Sequence, residues 1–115
     1  MPLIKIETNQ EVSLPARQGF LEKASAFTAN LFGKTEQFVM VTLEPGKSMM
    51  FGAGTGPTAH VSIIRIGLEV NRCPDYTKAI CAFLDEELGV PPERVFVGFE
   101  NIDGKQLGWN SKTFA

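Results

Sequence analysis

One order of segments occurs twice along the chain, and this repeat narrows the folds that are open to it. In residues 20–31 apolar side chains recur at the spacing of an amphipathic helix, and Gly33 and the apolar run 38–43 follow. Residues 76–88, a glycine and the run 94–99 repeat this order 56 positions later. Glycine commonly ends a helix, and a short apolar run is typical of a buried strand. The pattern therefore predicts two helices, each followed by a strand.

A further apolar run precedes each helix, at residues 2–7 and 60–67. Strand, helix and strand in succession are typical of a βαβ unit, whose two strands are parallel and joined by a right-handed crossover. We therefore predict an α+β fold in which two βαβ repeats form a four-stranded mixed sheet with two helices on one face. We expect a single domain over residues 1–115, with pseudo-repeat halves at about 1–58 and 59–115.

The strand runs 38–43 and 94–99 carry apolar side chains at successive positions, which predicts apolar surface on both faces of the sheet. Two helices can cover only one of those faces. Because monomeric proteins rarely leave large apolar patches exposed, we expect a further copy of the chain to cover the other face. The periodicity leaves the number of copies open.

The composition and charge of the chain disfavour several classes of function. A net charge of -2 without a run of Lys or Arg is unlike that of a nucleic-acid-binding protein. No apolar run approaches the roughly 20 residues of a membrane-spanning helix, and no signal-peptide pattern opens the chain. We therefore expect a cytoplasmic protein without nucleic-acid or membrane partners, with non-classical secretion left open. Cys73 and Cys81 are expected to be reduced thiols, and the one histidine, His60, cannot form a metal site alone.

Five stretches along the chain together resemble one known family. They are Met1-Pro2, Gly33-Lys34, residues 49–59, residues 62–67 and residues 108–115. Through them the sequence is similar to the macrophage migration inhibitory factor/D-dopachrome tautomerase family over essentially its whole length. The resemblance implies a homotrimer whose sheets surround a central channel, with active sites at the subunit interfaces. It also implies keto–enol tautomerase activity on phenylpyruvate-like 2-keto acids, without a metal or other cofactor.

The resemblance assigns the central catalytic role to Pro2. Methionine before proline is normally removed, which would leave Pro2 with a free secondary amine. An α-amino group has an ordinary pKa of about 7.7–8.0, and burial or a nearby ammonium group lowers it. We expect Pro2 to act as general base and acid, and Lys34 to bind the substrate's oxygen atoms and stabilise the enolate. Without the resemblance, Pro2 could merely begin an edge strand, and Lys34 could be a solvated residue at a helix end.

The resemblance also assigns substrate-binding roles to four further residues. Ile66 aligns with a residue whose backbone lies beside the substrate, and Trp109 and Phe114 match aromatic residues at or near the pocket wall. Phe96 stands where the cytokine branch of the family usually has a pocket tyrosine, and Gly98 replaces a neighbouring asparagine. Phe96 keeps an aromatic wall but has no hydroxyl group to donate. Substrate oxygen atoms are therefore expected to depend on Lys34 and on backbone amides.

A cytokine-like secreted binding protein with vestigial tautomerase activity is the alternative. The acidic residue of the cytokine branch's receptor-binding loop aligns with Gly46, and its basic partner falls at Glu11-Val12. Separately, residues 57–60 stand in place of the family's redox Cys-x-x-Cys motif, so thiol oxidoreductase activity of that kind is not expected. The sequence thus favours an enzyme, a phenylpyruvate tautomerase, over a receptor ligand.

Overall fold

The computed structural model describes residues 2–115, and the question of whether Met1 is retained lies outside them. Four strands form the main sheet: β1 (Pro2–Thr8), β2 (Met40–Glu44), β3 (Ala59–Arg65) and β4 (Val95–Asn101). Their order across the sheet is β2-β1-β3-β4. β1 pairs with β2 and β3 with β4 in parallel, whereas β1 and β3 are antiparallel. The two halves of the chain thus form two parallel pairs that join side by side.

Two helices, α1 (Leu14–Phe32) and α2 (Cys73–Leu88), connect the strands of each parallel pair. Both helices stop at a glycine in the left-handed conformation, Gly33 with a φ of 64° and Gly89 with a φ of 68°. Other residues are strained in that conformation, which is why glycine marks both helix ends. The predicted α+β fold, with two βαβ repeats and two helices on one face of a mixed sheet, is confirmed.

The core lies between the two helices and the sheet face that they cover. Side chains of β1 and β3 are buried at alternate positions, as expected for strands with one covered face. Helix residues at the predicted spacing pack against them. The core includes Ile4, Ile6, Phe20, Ala24, Val61, Ile63, Tyr76, Ile80 and Leu84.

The sheet face opposite the helices is less apolar than predicted. Met40 on β2 and Phe96 on β4 are 62% and 67% exposed there. Between them, the inner strands β1 and β3 place Lys5, Glu7 and His60 on this face. The prediction of apolar surface was drawn from the two edge strands, and it is wrong for the middle of the face because the inner strands alternate apolar with charged side chains.

Ion pairs connect the charged residues of this face. Lys47 Nζ lies 2.7 Å from Glu7 Oε2, His60 Nδ1 lies 3.2 Å from Glu7 Oε1, and Lys5 Nζ lies 3.2 Å from Glu44 Oε2. The hydrogen bond from Lys47, followed by that from His60, holds the pKa of Glu7 below its ordinary value. The face therefore combines a polar centre with apolar margins.

Two local features differ from the sequence-based prediction. The strand predicted to start at residue 38 starts at Met40, because Glu36–Phe38 forms a short 3-10 turn. Near the chain's last residues a small antiparallel hairpin, β5 (Gly108–Trp109) and β6 (Lys112–Thr113), was not predicted. Neither helix within residues 2–115 has the length and apolar character needed to cross a membrane.

Candidate active site

Pro2 begins β1 and lies in the interior of the sheet. Its Cα is paired with that of Arg65 on β3, and the pairing with β2 starts one residue later, at Leu3 and Met40. The alternative of an edge strand is therefore wrong, because β1 lies between β2 and β3. The first position of an inner strand tolerates proline because no ladder hydrogen bond needs its missing N–H. The Pro2 side chain is fully buried.

A cleft of about 250 Å³ opens beside Pro2, and we call it the aromatic cleft. Its walls come from the start of β1, the turn before β2 and the segment that carries the small hairpin. The residues that give it an apolar lining are Pro2, Phe38, Met40, Leu107, Trp109 and Phe114. The structure thus brings together three of the predicted site residues, Pro2, Trp109 and Phe114.

Three aromatic rings form one wall of the aromatic cleft. Trp109 and Phe114 are stacked, with 5.8 Å between ring centroids and an interplanar angle of 11°. Phe38 meets both edge-on, at 5.0 Å from Trp109 and 5.8 Å from Phe114. Stacked and edge-to-face pairs are the favourable arrangements of such rings. Trp109 is still 48% exposed, so the wall is open to an incoming ligand.

Lys34 lines a second cleft, of about 260 Å³, which we call the lysine cleft. Pro2, Phe38, Gly33 and Thr35 complete its lining, so the two clefts share Pro2 and Phe38. The end of α1 fixes the position of Lys34. Its amide donates to Ala29 O at 2.9 Å while the Gly33 amide donates to Asn30 O at 3.3 Å, the pattern of a Schellman motif.

The other two predicted site residues do not line these clefts. Ile66 follows β3 directly after Arg65, the partner of Pro2, so its backbone lies near the start of β1 with its side chain half-buried. Phe96 lies two strands away from Pro2 and five residues further along the sheet. With spacings of about 3.3 Å per residue and 4.8 Å per strand, these offsets place the Cα atoms of Phe96 and Pro2 about 19 Å apart. Within one chain, Phe96 is remote from Pro2; its ring instead packs on Phe51 at 4.9 Å.

Phe38, Gln37 and Leu107 line the aromatic cleft and were missed by the sequence analysis. Phe38 was assigned to a strand, where its side chain would have belonged to the sheet. The 3-10 turn that ends at Phe38 instead directs this ring toward Trp109. A weak signal was available, since Glu36, two residues before Phe38, is a residue type depleted in strands.

Around Pro2, the two clefts combine, among the described residues, one cation, an aromatic wall and the lack of any carboxylate in their lining. Lys34 is the charged residue in their combined lining, and the lining includes no carboxylate. The aromatic wall adjoins this single cation, so the shape and charge suit a planar ring that carries an anionic group. Within residues 2–115, no cluster of His, Cys, Asp and Glu side chains could hold a metal ion.

Comparisons with known proteins show which family the chain is similar to. The family model described as "Macrophage migration inhibitory factor (MIF)" matches residues 1–115. The macrophage migration inhibitory factor of Rattus norvegicus is 33% identical over 119 residues, which cover all of both chains. The D-dopachrome decarboxylase of Mus musculus is 33% identical over 113 residues, covering 94% of this chain and 92% of that protein.

Solved structures show the same similarity in three dimensions. The homologue of macrophage migration inhibitory factor from Prochlorococcus marinus superposes with a TM-score of 0.90 at 33% identity, over 98% of this chain and 99% of that one. The protein from Trichinella spiralis superposes with a TM-score of 0.89 at 29% identity, over 97% and 99%. Sequence and fold agree over the whole length, and the chain therefore belongs to the macrophage migration inhibitory factor family.

Proposed function

We propose that this protein is a cofactor-independent keto–enol tautomerase that acts on phenylpyruvate-like 2-keto acids. The observation that carries the proposal is the position of Pro2, which is buried where the aromatic cleft meets the lysine cleft. A base, a cation and an aromatic wall are the three groups that such a substrate requires. A 2-keto acid of this kind has an acidic C–H for the base, a carboxylate for the cation and a phenyl ring for the aromatic wall.

Pro2 acts as the base once Met1 has been removed and its nitrogen is a secondary amine. The ordinary pKa of an α-amino group, about 7.7–8.0, is already closer to neutrality than that of a lysine. Burial among apolar side chains and the nearby ammonium group of Lys34 both disfavour the protonated amine, so both lower its pKa. A base with a pKa near the working pH can take up a proton and return it.

The reaction is a proton transfer that leaves atoms and electrons balanced. The Pro2 nitrogen takes a proton from C3 of the keto acid, and the electrons of that C–H bond form the C2–C3 double bond. The carbonyl π electrons move to oxygen and give an enolate. The protonated amine then delivers the proton to this oxygen, which yields the enol and regenerates the free base. Substrate and product are isomers, so no other reactant is consumed.

Lys34 and the aromatic wall hold the substrate in place. The ammonium group of Lys34 binds the carboxylate or the carbonyl oxygen and stabilises the charge of the enolate. Phe38, Trp109 and Phe114 pack against the phenyl ring of the substrate. The backbone of Ile66, next to the partner of Pro2 in the sheet, offers further hydrogen-bonding groups.

We further propose that the active protein is a homotrimer in which a neighbouring subunit completes each site. Phe96 is 67% exposed and Met50 is 68% exposed, while Phe96 lies far from Pro2 of its own chain. A neighbouring copy that brings its Phe96 to the aromatic cleft would bury this apolar surface and enclose the substrate. Sedimentation equilibrium tests the assembly, and a mass of one chain at assay concentrations would contradict it.

The test of the catalytic role compares two forms of the protein with phenylpyruvate as substrate. One form has Pro2 as its first residue, verified by intact mass; the other retains Met1, so that the Pro2 nitrogen is an amide without a basic lone pair. The loss of a general base is expected to reduce kcat/KM by about 10²–10⁴-fold. Equal turnover by the two forms would show that Pro2 is not the base.

Two further substitutions and one control variant complete this test. Lys34→Met is expected to raise KM and lower kcat, because the cation contacts both the ground state and the enolate. Lys78→Met removes the same charge from an exposed position of α2 and serves as the matched control. Pro2→Gly keeps an N-terminal amine but changes its pKa and geometry, and unchanged turnover in this variant would also contradict the proposed base.

Receptor binding is the second candidate, because relatives carry the name macrophage migration inhibitory factor. Gly46 has a φ of 67°, and a β-carbon there would lie 2.7 Å from Glu11 Oε1. This region therefore has a carboxylate packed against glycine in place of a pair of opposite charges. Saturable, submicromolar binding to a cytokine receptor domain, together with negligible phenylpyruvate turnover, would favour the signalling role over the enzyme.

A further inference from the structure

Arg65 is a charged residue in an unusual place, the buried face of the sheet. It is the last residue of β3 and only 6% exposed. Its Cα pairs with that of Pro2 on β1, and both side chains lie on the helix-covered face. Directly opposed residues of an antiparallel pair have β-carbons about 4.5–5.5 Å apart. The β-carbon of Arg65 therefore lies next to that of Pro2, and its guanidinium group lies within one arginine side-chain length of that position.

The guanidinium group of Arg65 lacks an anionic or hydrogen-bonding partner at two of its nitrogens. Within residues 2–115, its Nε and Nη1 are buried and have no hydrogen-bond acceptor. It makes a cation–π contact with the ring of Phe32, with the guanidinium carbon 4.5 Å from the ring centroid. Burying a charge without a partner is costly, and a cation–π contact offsets only part of that cost. A neutral side chain at this position would be easier to accommodate.

The groups around Arg65 leave its charge largely uncompensated. Asn101, its neighbour on β4, uses its side-chain oxygen to accept the Leu68 amide at 2.9 Å. From α2, Tyr76 packs on Phe32 and itself lies under the cation of Arg72. Glu100 on β4 is exposed on the opposite face of the sheet, and Lys34 at the end of α1 is a second cation beside Pro2. No carboxylate of the described residues bonds to Arg65.

We propose that Arg65 is a positioning residue that keeps the Pro2 amine in its unprotonated form by holding an unpaired positive charge across the strand pair from it. This inference rests on the proposed function in one respect, the free amine of Pro2. Two cations close to one amine raise the free energy of its protonated form, and the buried cation is shielded by water less than the exposed Lys34. The cost of burying Arg65 is then explained by its effect on the base.

Removing the charge of Arg65 is expected to raise the pKa of Pro2 by about one pH unit, which is the size of the interaction between two charges within about 10 Å of each other at an effective dielectric constant of about 20. The sign follows from the proton balance. Without the second cation, protonated Pro2 is less unfavourable, so the amine binds its proton at a higher pH. The acid limb of the kcat/KM profile, which reports the free enzyme's base, should move up by the same amount.

The experiment compares four proteins, each with Pro2 verified as the first residue by intact mass. They are the wild type, Arg65→Met, Arg65→Lys and the exposed control Lys78→Met. Two measurements are made on each, the pH profile of kcat/KM for phenylpyruvate and the titration of the Pro2 nitrogen by NMR of ¹⁵N-proline-labelled protein. The second measurement does not depend on turnover. Arg65→Gln replaces Arg65→Met if the latter does not fold.

The expected result is a rise of about one pH unit in both measurements for Arg65→Met, and wild-type values for Arg65→Lys and Lys78→Met. An Arg65→Met protein whose Pro2 titrates as in the wild type would overturn the inference, even if its turnover is lower at every pH, because that pattern indicates a purely structural role. If none of the four proteins turns over phenylpyruvate but the Pro2 titration of Arg65→Met is still shifted, the proposed function is overturned and the role of Arg65 stands.

Discussion

Replacement of Arg94 by methionine should destabilise the protein by releasing the loop at residues 51–57. The guanidinium group of Arg94 donates four hydrogen bonds to carbonyl oxygens of this loop. The pairs are Nε with Pro57 O at 2.8 Å, Nη1 with Phe51 O at 3.2 Å, and Nη2 with Gly54 O at 3.1 Å and Gly56 O at 3.2 Å. This loop is therefore held by Arg94 together with Asn9, whose Nδ2 donates to Thr55 O at 3.2 Å and Gly56 O at 2.9 Å.

The magnitude follows from how exposed these bonds are. The bonds to Phe51 and Gly54 are half-buried, whereas the bonds to Pro57 and Gly56 are exposed and can be replaced by water. Counting the half-buried pair at about 1–1.5 kcal/mol each, and the exposed pair as nothing, gives a loss of about 2–3 kcal/mol in the free energy of unfolding. At this chain length the loss corresponds to a fall of about 10 °C in Tm.

Urea unfolding followed by circular dichroism, at one fixed protein concentration, measures this loss. Lys78→Met is the control for the change in charge, and Arg94→Lys should recover part of the stability because an ammonium group can donate to some of the same carbonyls. A loss below about 0.5 kcal/mol for Arg94→Met would refute the estimate, since surface substitutions away from such contacts have effects of that size. Because Phe51 supports Phe96, the variant should also turn over phenylpyruvate more slowly.

Three further predictions concern single side chains. Phe96→Tyr should raise kcat/KM for 4-hydroxyphenylpyruvate relative to phenylpyruvate by at most about tenfold, the worth of one hydrogen bond; an unchanged ratio would show that Phe96 does not face the substrate. Lys47→Met should lower Tm at neutral pH but not in acid. The hydrogen bond from Lys47 lowers the pKa of Glu7, so it stabilises the fold when Glu7 is ionised, above the ordinary pKa of a carboxylate, and this stabilisation is lost as Glu7 becomes protonated. Burial raises the pKa of the Cys81 thiol, so iodoacetamide should label Cys73 first, and rapid labelling that persists in Cys73→Ala would contradict this order.

The sequence by itself determined the elements and their order, because those depend on interactions between residues close in the chain. The helical spacing from Phe20 to Leu31 and the left-handed glycine Gly33 define α1 within its own segment. Once each helix lies between two strands, the right-handed crossover makes those strands parallel. The family resemblance added the expectation for Pro2 and Lys34, which both line the lysine cleft.

Only the tertiary structure decided what lies next to Pro2. The antiparallel pairing of β1 with β3 joins the two halves, places Pro2 inside the sheet and sets Arg65 opposite it, although an arginine at a strand end would be expected in solvent. Likewise, Phe38 meets Trp109 and Phe114 across more than half of the chain. Such contacts depend on how whole elements pack, because the burial of distant apolar surface outweighs the preferences of single residues and leaves no local pattern in the sequence.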